Sequence, residues 1–140
     1  MTLVSERATM TGVDDEVRER IDADPFCETL GIELVSLDAG SARTALTVTE
    51  DLLNFHGTPH GGAIYSLADA AFAAASNSHG ETALALETNI SYLDAVEVGE
   101  TLTATAEETH LAGATAEYEI VVTDEADDRV ATFRGRVYRP

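Results

Sequence analysis

The chain has 140 residues, a mass of 14.8 kDa, 44% hydrophobic residues and a formal net charge of -18 at pH 7. This length and hydrophobic content predict one domain with its own core and exclude a disordered acidic tail. The negative charge opposes binding to nucleic acid and to anionic membranes, and no apolar run is long enough to cross a bilayer, so neither partner is expected.

The charged residues have an unusual composition, because all eight basic residues are Arg and the chain contains no Lys. This composition resembles that of proteins from salt-accumulating halophiles, and the alternative is an ordinary acidic protein. Most carboxylates are then expected on the solvated surface, so only those in unusual settings need a functional explanation. The first residues lack the apolar core of a secretory signal, which predicts a cytoplasmic protein.

The N-terminal part of the chain predicts a short helix. Residues 1–12 are polar and irregular, so we expect them to be poorly ordered and a single domain to occupy residues 13–140. Apolar residues recur at four-residue spacing over residues 13–23, which favours an amphipathic helix that stops before Pro25. Cys27, the only cysteine, excludes an internal disulfide, and we interpret it as a small buried hydrophobe rather than a reactive thiol.

Two strands and a glycine-rich loop follow. Residues 31–38 and 42–49 alternate apolar and polar side chains around a turn at residues 39–41, which predicts a β-hairpin. The loop leads directly into a long apolar helix predicted over residues 61–78, and it reads Asn54-Phe55-His56-Gly57-Thr58-Pro59-His60-Gly61-Gly62. Because the first N–H groups of a helix have no partner within it, this junction predicts a site for an oxyanion.

Asp69 is the one carboxylate inside this apolar helix. An isolated carboxylate is costly to bury, so we expect Asp69 to have a partner, a bound water or a chemical role. Its apolar setting also predicts a raised pKa, nearer the range that suits a general base. Loop and carboxylate together predict a site that stabilises an oxyanion and activates water.

Four strand-like stretches complete the chain, at residues 81–93, 101–110, 114–123 and 129–138, and the last three are predicted to form a meander. The element order predicts an α+β fold in which an antiparallel sheet of five to six strands wraps around one long central helix. Since the edges of such a sheet stay open, pairing between two copies is expected.

This element order resembles the hotdog-fold thioesterases, and most of all the phenylacetyl-CoA thioesterase branch. The central motif of the resemblance is Asn54-x-x-Gly57-x-x-His60-Gly61-Gly62-x-x-x-x-Leu67-x-Asp69. Other matching segments are Asp24-Pro25-Phe26, Leu30-Gly31-Ile32, Asn89-Ile90-Ser91-Tyr92-Leu93 and Val98-Gly99-Glu100. The resemblance covers residues 24–138 and implies a homodimer or homotetramer of hotdog subunits that hydrolyses acyl-CoA thioesters; no cofactor is expected.

The motif residues receive distinct chemical roles. The Gly61 N–H is expected to donate to the thioester oxygen as negative charge develops there, and Gly62 lets the substrate approach the backbone closely. Asp69 lies about 12 Å along the helix from Gly61, so one site needs Gly61 of one subunit and Asp69 of another. The resemblance implies the same arrangement, with Asp69 as general base or nucleophile. Asn54 is expected to donate to the water or to Asp69, and His60 to the thioester or the departing sulfur.

Further residues are predicted to contact the substrate. Apolar or aromatic candidates for the pocket wall are Phe55, Tyr65, Phe72 and Tyr92. The only basic cluster is formed by Arg134, Arg136 and Arg139. One of its members is expected to meet the CoA phosphate or pyrophosphate, and balance of local acidic charge is the alternative. Family members often carry Ser or Thr where this chain has Ala85, which leaves the role of that hydroxyl unfilled or moves it to Thr82 or Thr88.

Structural roles are alternatives for several of these residues. The loop glycines could simply form a tight turn and helix entry, Asn54 could serve only an Asx turn, and His60 and Asp69 could be structural. His56 and His60 lie close in sequence, but without a carboxylate or Cys at ligand spacing no metal is expected. His79 and His110 are expected to face solvent.

Two other functions remain open at this point. A hotdog enoyl-CoA hydratase or dehydratase would usually carry an Asp-x-Asn-Pro-x-His segment, which this chain lacks. A non-catalytic acyl-CoA-binding protein is suggested by Ala85.

Overall fold

Helices and strands follow one another in nearly the predicted order in the computed structural model, which describes residues 12–140. The elements are α1 (Asp15–Asp22), α2 (Pro25–Leu30), β1 (Glu33–Asp38), β2 (Ser41–Thr47), a 3-10 turn (Glu50–Leu52), α3 (Gly61–Asn77), β3 (Leu84–Tyr92), β4 (Thr101–Ala112), β5 (Thr115–Thr123) and β6 (Arg129–Tyr138). The prediction of poor order for residues 1–12 falls, apart from Gly12, outside the described residues.

Helix α2 is an addition to the predicted elements. Asp24 caps its first turn by accepting a hydrogen bond from the Cys27 N–H at 3.1 Å, and Pro25 occupies the first turn, where no N–H is needed. Gly31 ends the helix in the left-handed conformation with φ 82°. The chain therefore makes a second short helix before β1 begins.

All six strands form one antiparallel sheet in the order β1-β2-β4-β5-β6-β3. Strands β4, β5 and β6 are successive neighbours, which confirms the predicted meander. Strands β1 and β3 are the edges. The predicted α+β architecture of a six-stranded sheet against one long helix is confirmed.

Helix α3 packs against the sheet through its small and apolar side chains. Its buried residues are Ala63, Ile64, Leu67, Ala68, Ala71, Phe72, Ala74, Ala75 and Ser76. The buried Thr44 hydroxyl on β2 donates to the Leu67 carbonyl at 3.0 Å, which ties helix and sheet together. On the other side of α3, Asp69 is partly exposed and Ala73 is exposed.

Phe72 belongs to the core, which corrects its interpretation as part of the substrate pocket wall. Its side chain is 1% exposed and packs against Tyr118 and Phe133, with ring centroids 5.8 Å apart in both pairs. Gly135 on β6 makes the room, because a Cβ built there would lie 2.5 Å from the Phe72 ring.

Gly135→Ala is therefore expected to lower the free energy of unfolding by about 1–3 kcal/mol, the usual cost of overpacking a core. The measurement is urea unfolding at fixed salt. Because Phe72→Leu shortens the ring that would clash, the double variant should be more stable than the sum of the two single changes predicts. An unchanged urea midpoint for Gly135→Ala would contradict this packing.

A polar cluster lies beyond the C-terminal end of α3. His79 Nε2 lies 2.8 Å from Glu108 Oε2, and the Tyr118 hydroxyl donates to the same oxygen. Burial alone raises the pKa of Glu108, but the hydrogen bonds from Tyr118 and His79, with Arg139 nearby, outweigh burial and lower it. His79 and His110 are both exposed, as predicted, although the His79 ring is also paired with Glu108.

Candidate active site

Asn54 holds the glycine-rich loop in shape. Its Oδ1 accepts hydrogen bonds from the His56 N–H at 2.9 Å and from the N–H and hydroxyl of Thr58, both at 3.2 Å. Gly57 completes the turn with φ 79°, a conformation that favours glycine. Asn54 therefore forms the Asx turn that was the structural alternative. Its Nδ2 has no hydrogen-bond partner among residues 12–140, so the predicted donation to water or Asp69 remains open to it.

His60 caps α3 with its side chain. Its Nδ1 accepts a hydrogen bond from the Gly62 N–H at 2.9 Å. Because a backbone N–H is always the donor, Nδ1 carries no proton, and the neutral ring must carry its hydrogen on Nε2. His60 therefore presents Nε2–H as a donor. A Cβ at Gly62 would lie 3.0 Å from Nδ1, so this cap also needs a small residue at position 62.

The N–H of Gly61 is the free amide at the start of α3. The Gly62 N–H is used by His60, and the Ala63 N–H donates to the His60 carbonyl at 3.0 Å, whereas the Gly61 N–H has no partner in the described part of the chain. The helix dipole adds partial positive charge at this end. This geometry suits an incoming oxyanion.

Tyr92, at the end of β3, contacts the start of α3 at Gly61. Its hydroxyl donates to the Gly61 carbonyl at 2.9 Å, and a Cβ at Gly61 would lie 3.2 Å from its Cζ and Oη. Burial and the neighbouring Tyr65 raise the pKa of Tyr92, which keeps its hydroxyl protonated as a donor. The structure thus places Tyr92, predicted as a pocket-wall residue, directly beside Gly61.

Asp69 is partly buried and stands without a hydrogen-bond or ion-pair partner among residues 12–140. Burial, followed by the neighbouring Asp24 carboxylate, raises its pKa, as its apolar setting predicted. Within one chain Asp69 stays about two turns, roughly 12 Å, from Gly61 along α3. A single chain therefore does not bring the carboxylate and the free amide to one carbonyl group.

Two residues near Asp69 were not predicted to belong to the site. Asp24 reaches it from the cap of α2, and Cys27 lies close enough for both carboxylates to influence its thiol. Burial and then Asp24 raise the pKa of Cys27 to about 11, so the thiol is neutral at physiological pH. This agrees with Cys27 as a small, partly buried hydrophobe. The sequence signal for Asp24 was the cap pattern Asp-Pro, which indicates a helix start but not what lies opposite.

The remaining aromatic candidates occupy different positions. Phe55 is 91% exposed at the loop tip, edge-on to His56. The Tyr65 ring packs edge-to-face on Phe133 with centroids 5.2 Å apart, and its hydroxyl is hydrogen-bonded to the Thr88 hydroxyl. Of the two hydroxyls proposed to replace the one missing at position 85, Thr88 therefore lies against α3.

Position 85 itself lies at an irregularity of β3. Ala85 is exposed, and the pairing of β3 with β6 shifts between Ala85 and Glu87. Such a shift re-aims the side chains on one side of it. Thr82 precedes the strand and is exposed.

The basic residues of β6 are not brought to the loop. Arg134 and Arg136 flank Gly135, which faces α3, so their side chains lie on the opposite face of the sheet. Arg134 lies 3.4 Å from Glu117, and Arg136 lies 3.6 Å from Glu87 and 4.0 Å from Glu117. These ion pairs favour the alternative of local charge balance. Arg139 is 9% exposed and donates to the Gly113 carbonyl at 3.4 Å.

Among residues 12–140, no three side chains of His, Cys, Asp or Glu converge as metal ligands would. Within the same range, none of the helices has the length and apolar character needed to span a bilayer.

Comparison with known proteins identifies the family. The model of the thioesterase superfamily matches residues 56–131. The Acyl-coenzyme A thioesterase PaaI of Escherichia coli K12 is 42% identical over 116 residues, which are 83% of this chain and 83% of that protein. The 1,4-dihydroxy-2-naphthoyl-CoA hydrolase of Listeria monocytogenes is 40% identical over 76% of this chain and 89% of its own length.

Solved structures agree with these matches. The E. coli PaaI structure superposes with a TM-score of 0.85 at 38% identity, covering 97% of this chain and 95% of that one. A Streptococcus mutans UA159 protein bound to acetyl CoA gives a TM-score of 0.74 at 28% identity, over 78% of this chain and 88% of that one. Since the family model spans more than half of the chain and the E. coli relative matches most of it, this chain belongs to the thioesterase superfamily, with the hotdog fold predicted from its sequence.

Proposed function

We propose that this chain is an acyl-CoA thioesterase that hydrolyses an acyl- or aryl-acyl-CoA thioester to the free acid and CoA, in a site shared between two subunits. The observation that carries the proposal is the pair of unused groups on α3. One is the free Gly61 N–H at the helix start, and the other is the unpartnered Asp69 two turns later. Acyl transfer to water needs an oxyanion donor, which the Gly61 N–H can supply, and a base or nucleophile, which Asp69 can supply. Within one chain these two groups do not reach each other.

The reaction follows from these groups. The thioester carbonyl oxygen accepts the Gly61 N–H, which stabilises the negative charge that develops as the carbonyl carbon is attacked. Asp69 of the partner subunit removes a proton from the attacking water as a general base, or attacks the carbon itself as a nucleophile and forms a mixed anhydride that water hydrolyses once the thiol has left. The C–S bond then breaks, and His60 Nε2–H is placed to donate to the departing sulfur. Water supplies the hydroxyl of the acid and the proton of the CoA thiol.

A homodimer or homotetramer is the assembly that this site requires. Strands β1 and β3 leave unpaired backbone groups at the two edges of the sheet, and closed pairing between identical edges satisfies them. Within such a dimer each site would use Gly61 of one subunit and Asp69 of the other.

Complementation between two inactive variants tests the shared site. Subunits carrying Asp69→Asn and Gly61→Pro are co-expressed with different affinity tags, and the mixed species is purified through both tags. In a mixed dimer one site combines both changes and the other has neither, so about half of the wild-type rate of thiol release is expected. Mixed dimers as inactive as both parents would show that each site is built from one chain.

Binding without hydrolysis is the second candidate function. It is favoured by Ala85, where family members often carry a hydroxyl, and by the engagement of the Thr88 hydroxyl with Tyr65. Saturable binding of acyl-CoA without thiol release from any acyl-CoA would select it.

Charge bears on two further points, which are where the CoA phosphates bind and at what salt concentration the protein works. For Arg134 or Arg136 to meet the CoA phosphates, the CoA has to reach the outer face of the sheet, opposite α3. We also propose that the protein works in the cytoplasm at high salt, because a net charge of -18 destabilises the compact state unless ions screen it. Assays therefore belong in molar KCl.

A further inference from the structure

The peptide unit between Gly61 and Gly62 is hydrogen-bonded to a side chain at each end. At its carbonyl end, the Tyr92 hydroxyl donates to the Gly61 oxygen at 2.9 Å. At its amide end, the Gly62 N–H donates to His60 Nδ1 at 2.9 Å. One continuous chain of hydrogen bonds therefore runs from the tyrosine hydroxyl through the peptide to the imidazole ring.

Two consecutive glycines let the tyrosine and the histidine come this close to the peptide. A Cβ at Gly61 would lie 3.2 Å from the Cζ and Oη of Tyr92. A Cβ at Gly62 would lie 3.0 Å from His60 Nδ1. Because neither glycine has a side chain, the backbone between them is also freer to rotate than it is elsewhere in the helix. The two hydrogen bonds remove that freedom and fix the plane of the peptide.

Tyr92 reaches the peptide from an anchored part of the sheet. It is the last residue of β3, where it pairs with Ala131 of β6. The next two residues, Leu93 and Asp94, both donate their N–H groups to the Val130 carbonyl, at 2.8 and 3.3 Å. The backbone that carries the hydroxyl is thus held by the sheet and not by the glycine-rich loop.

This chain of hydrogen bonds decides which nitrogen of His60 carries the hydrogen. Since the Gly62 N–H can only donate, Nδ1 has to accept, and the hydrogen of the neutral ring lies on Nε2. The Tyr92 hydroxyl strengthens this preference, because a carbonyl that accepts a hydrogen bond polarises its peptide and makes the N–H a better donor. Without the hydroxyl, the peptide is free to turn and release Nδ1, and the ring can then adopt either tautomer.

We propose that Tyr92 is a positioning residue for thioester hydrolysis, which acts through the peptide between Gly61 and Gly62 to hold His60 with Nε2–H facing the departing sulfur. This inference rests on the proposed function. When the C–S bond breaks, its electron pair passes to the sulfur, and Nε2–H donates a hydrogen bond to the resulting thiolate. The hydrogen stays on Nε2, because its loss would leave an imidazolate anion, and the thiolate takes its proton from water.

Nitrogen NMR of the histidine rings tests the effect on His60 without requiring catalysis. In the wild type at mildly alkaline pH, Nδ1 should show the chemical shift of an unprotonated nitrogen and Nε2 that of a protonated one, with the signals assigned by their loss in His60→Asn. In Tyr92→Phe the two shifts should move toward each other as the second tautomer becomes populated. Tyr138→Phe is the matched control and should keep the wild-type shifts, because Tyr138 is 42% exposed and its hydroxyl has no hydrogen-bond partner within residues 12–140.

The rate of hydrolysis gives a second test, because thiol leaving groups differ in how much they need a donor. Tyr92→Phe should lower kcat for an acyl-CoA about three- to tenfold, the rate equivalent of one hydrogen bond, while KM changes by less than about twofold. The S-phenyl thioester of the same acyl group releases a thiolate that is stable without a donor, so its kcat should fall less than about twofold. Tyr138→Phe should leave both rates unchanged.

A double-mutant cycle separates positioning from a purely structural role. His60→Asn keeps a side-chain oxygen that can cap the Gly62 N–H but removes the Nε2–H donor. Since Tyr92 is proposed to act through His60, Tyr92→Phe should cost no further activity in the His60→Asn background. Losses that multiply, equal losses for the two leaving groups, or ring shifts unchanged by Tyr92→Phe would overturn the inference. A wild type that releases no thiol from any acyl-CoA would instead overturn the proposed function, and the NMR would still decide whether Tyr92 fixes the ring.

Discussion

Asp69→Asn is expected to lower kcat for thiol release from acyl-CoA by about 10²–10⁴-fold, the usual contribution of a positioned acid–base group. Asparagine keeps the size of the side chain but neither removes a proton from water nor attacks a carbonyl carbon. The measurement is thiol release in molar KCl, followed with a thiol-reactive chromophore. Asp127→Asn is the matched control, because Asp127 is exposed in a turn where its φ of 65° also suits asparagine.

The stability of the same variant separates a chemical role from a structural one. Burial and Asp24 raise the pKa of Asp69, so the folded chain holds this proton to higher pH than the unfolded chain does. The stabilisation that protonated Asp69 gives the folded chain is complete below the pKa of Asp69 in the unfolded chain. It is lost as the pH rises through the pKa of Asp69 in the folded chain. Asp69→Asn removes that loss, so at neutral pH its urea midpoint should equal or exceed that of the wild type. A variant that kept full turnover, or lost activity by unfolding, would contradict the assignment.

The pH dependence of the reaction rate on the acid side also tests the raised pKa of Asp69. The reaction needs the ionised carboxylate, so kcat/KM should fall with acid at a pH above the ordinary aspartate pKa.

Gly61→Pro is expected to lower kcat by about 10²–10³-fold, the effect of losing one oxyanion donor. Gly61 is the first residue of α3, a position where proline fits because its N–H has no partner within the helix. The preceding His60 has φ -69° and ψ 133°, an extended conformation that a following proline allows. The substitution therefore deletes one N–H and preserves the helix start.

Gly61→Ala controls for the added carbon. Its Cβ would meet the Tyr92 ring at 3.2 Å, as any side chain at this position does, but the N–H is retained. Alanine should therefore keep most of the activity that proline loses. Equal losses in both variants would assign the effect to Tyr92 and not to the amide.

Sequence periodicity predicted the helices and strands because an element that buries one face repeats apolar residues at a regular spacing. Helix α3 was predicted over residues 61–78 and runs over Gly61–Asn77. The helix predicted at 13–23 is Asp15–Asp22. Helix α2 was missed although Asp24, Pro25 and Gly31 are its cap, first-turn and end signals, because six residues are too few to show a period.

Contacts between distant segments could not be predicted in the same way. Phe72 has the sequence character of a pocket residue, and only the pairing of α3 with Gly135 makes it a core residue. The approach of Asp24 to Asp69 and the hydrogen bond from Tyr92 to Gly61 likewise depend on packing between elements. The register shift after Ala85 has no signal in the composition of β3.

The Asx turn at Asn54 has a consequence for how substrate binding is used. Three donors converge on one amide oxygen, so the loop is rigid before any ligand arrives. The conformational entropy of the loop is lost once, when the chain folds, and is not lost again each time a substrate binds. Contacts with the CoA portion are then free to favour the transition state instead of assembling the loop.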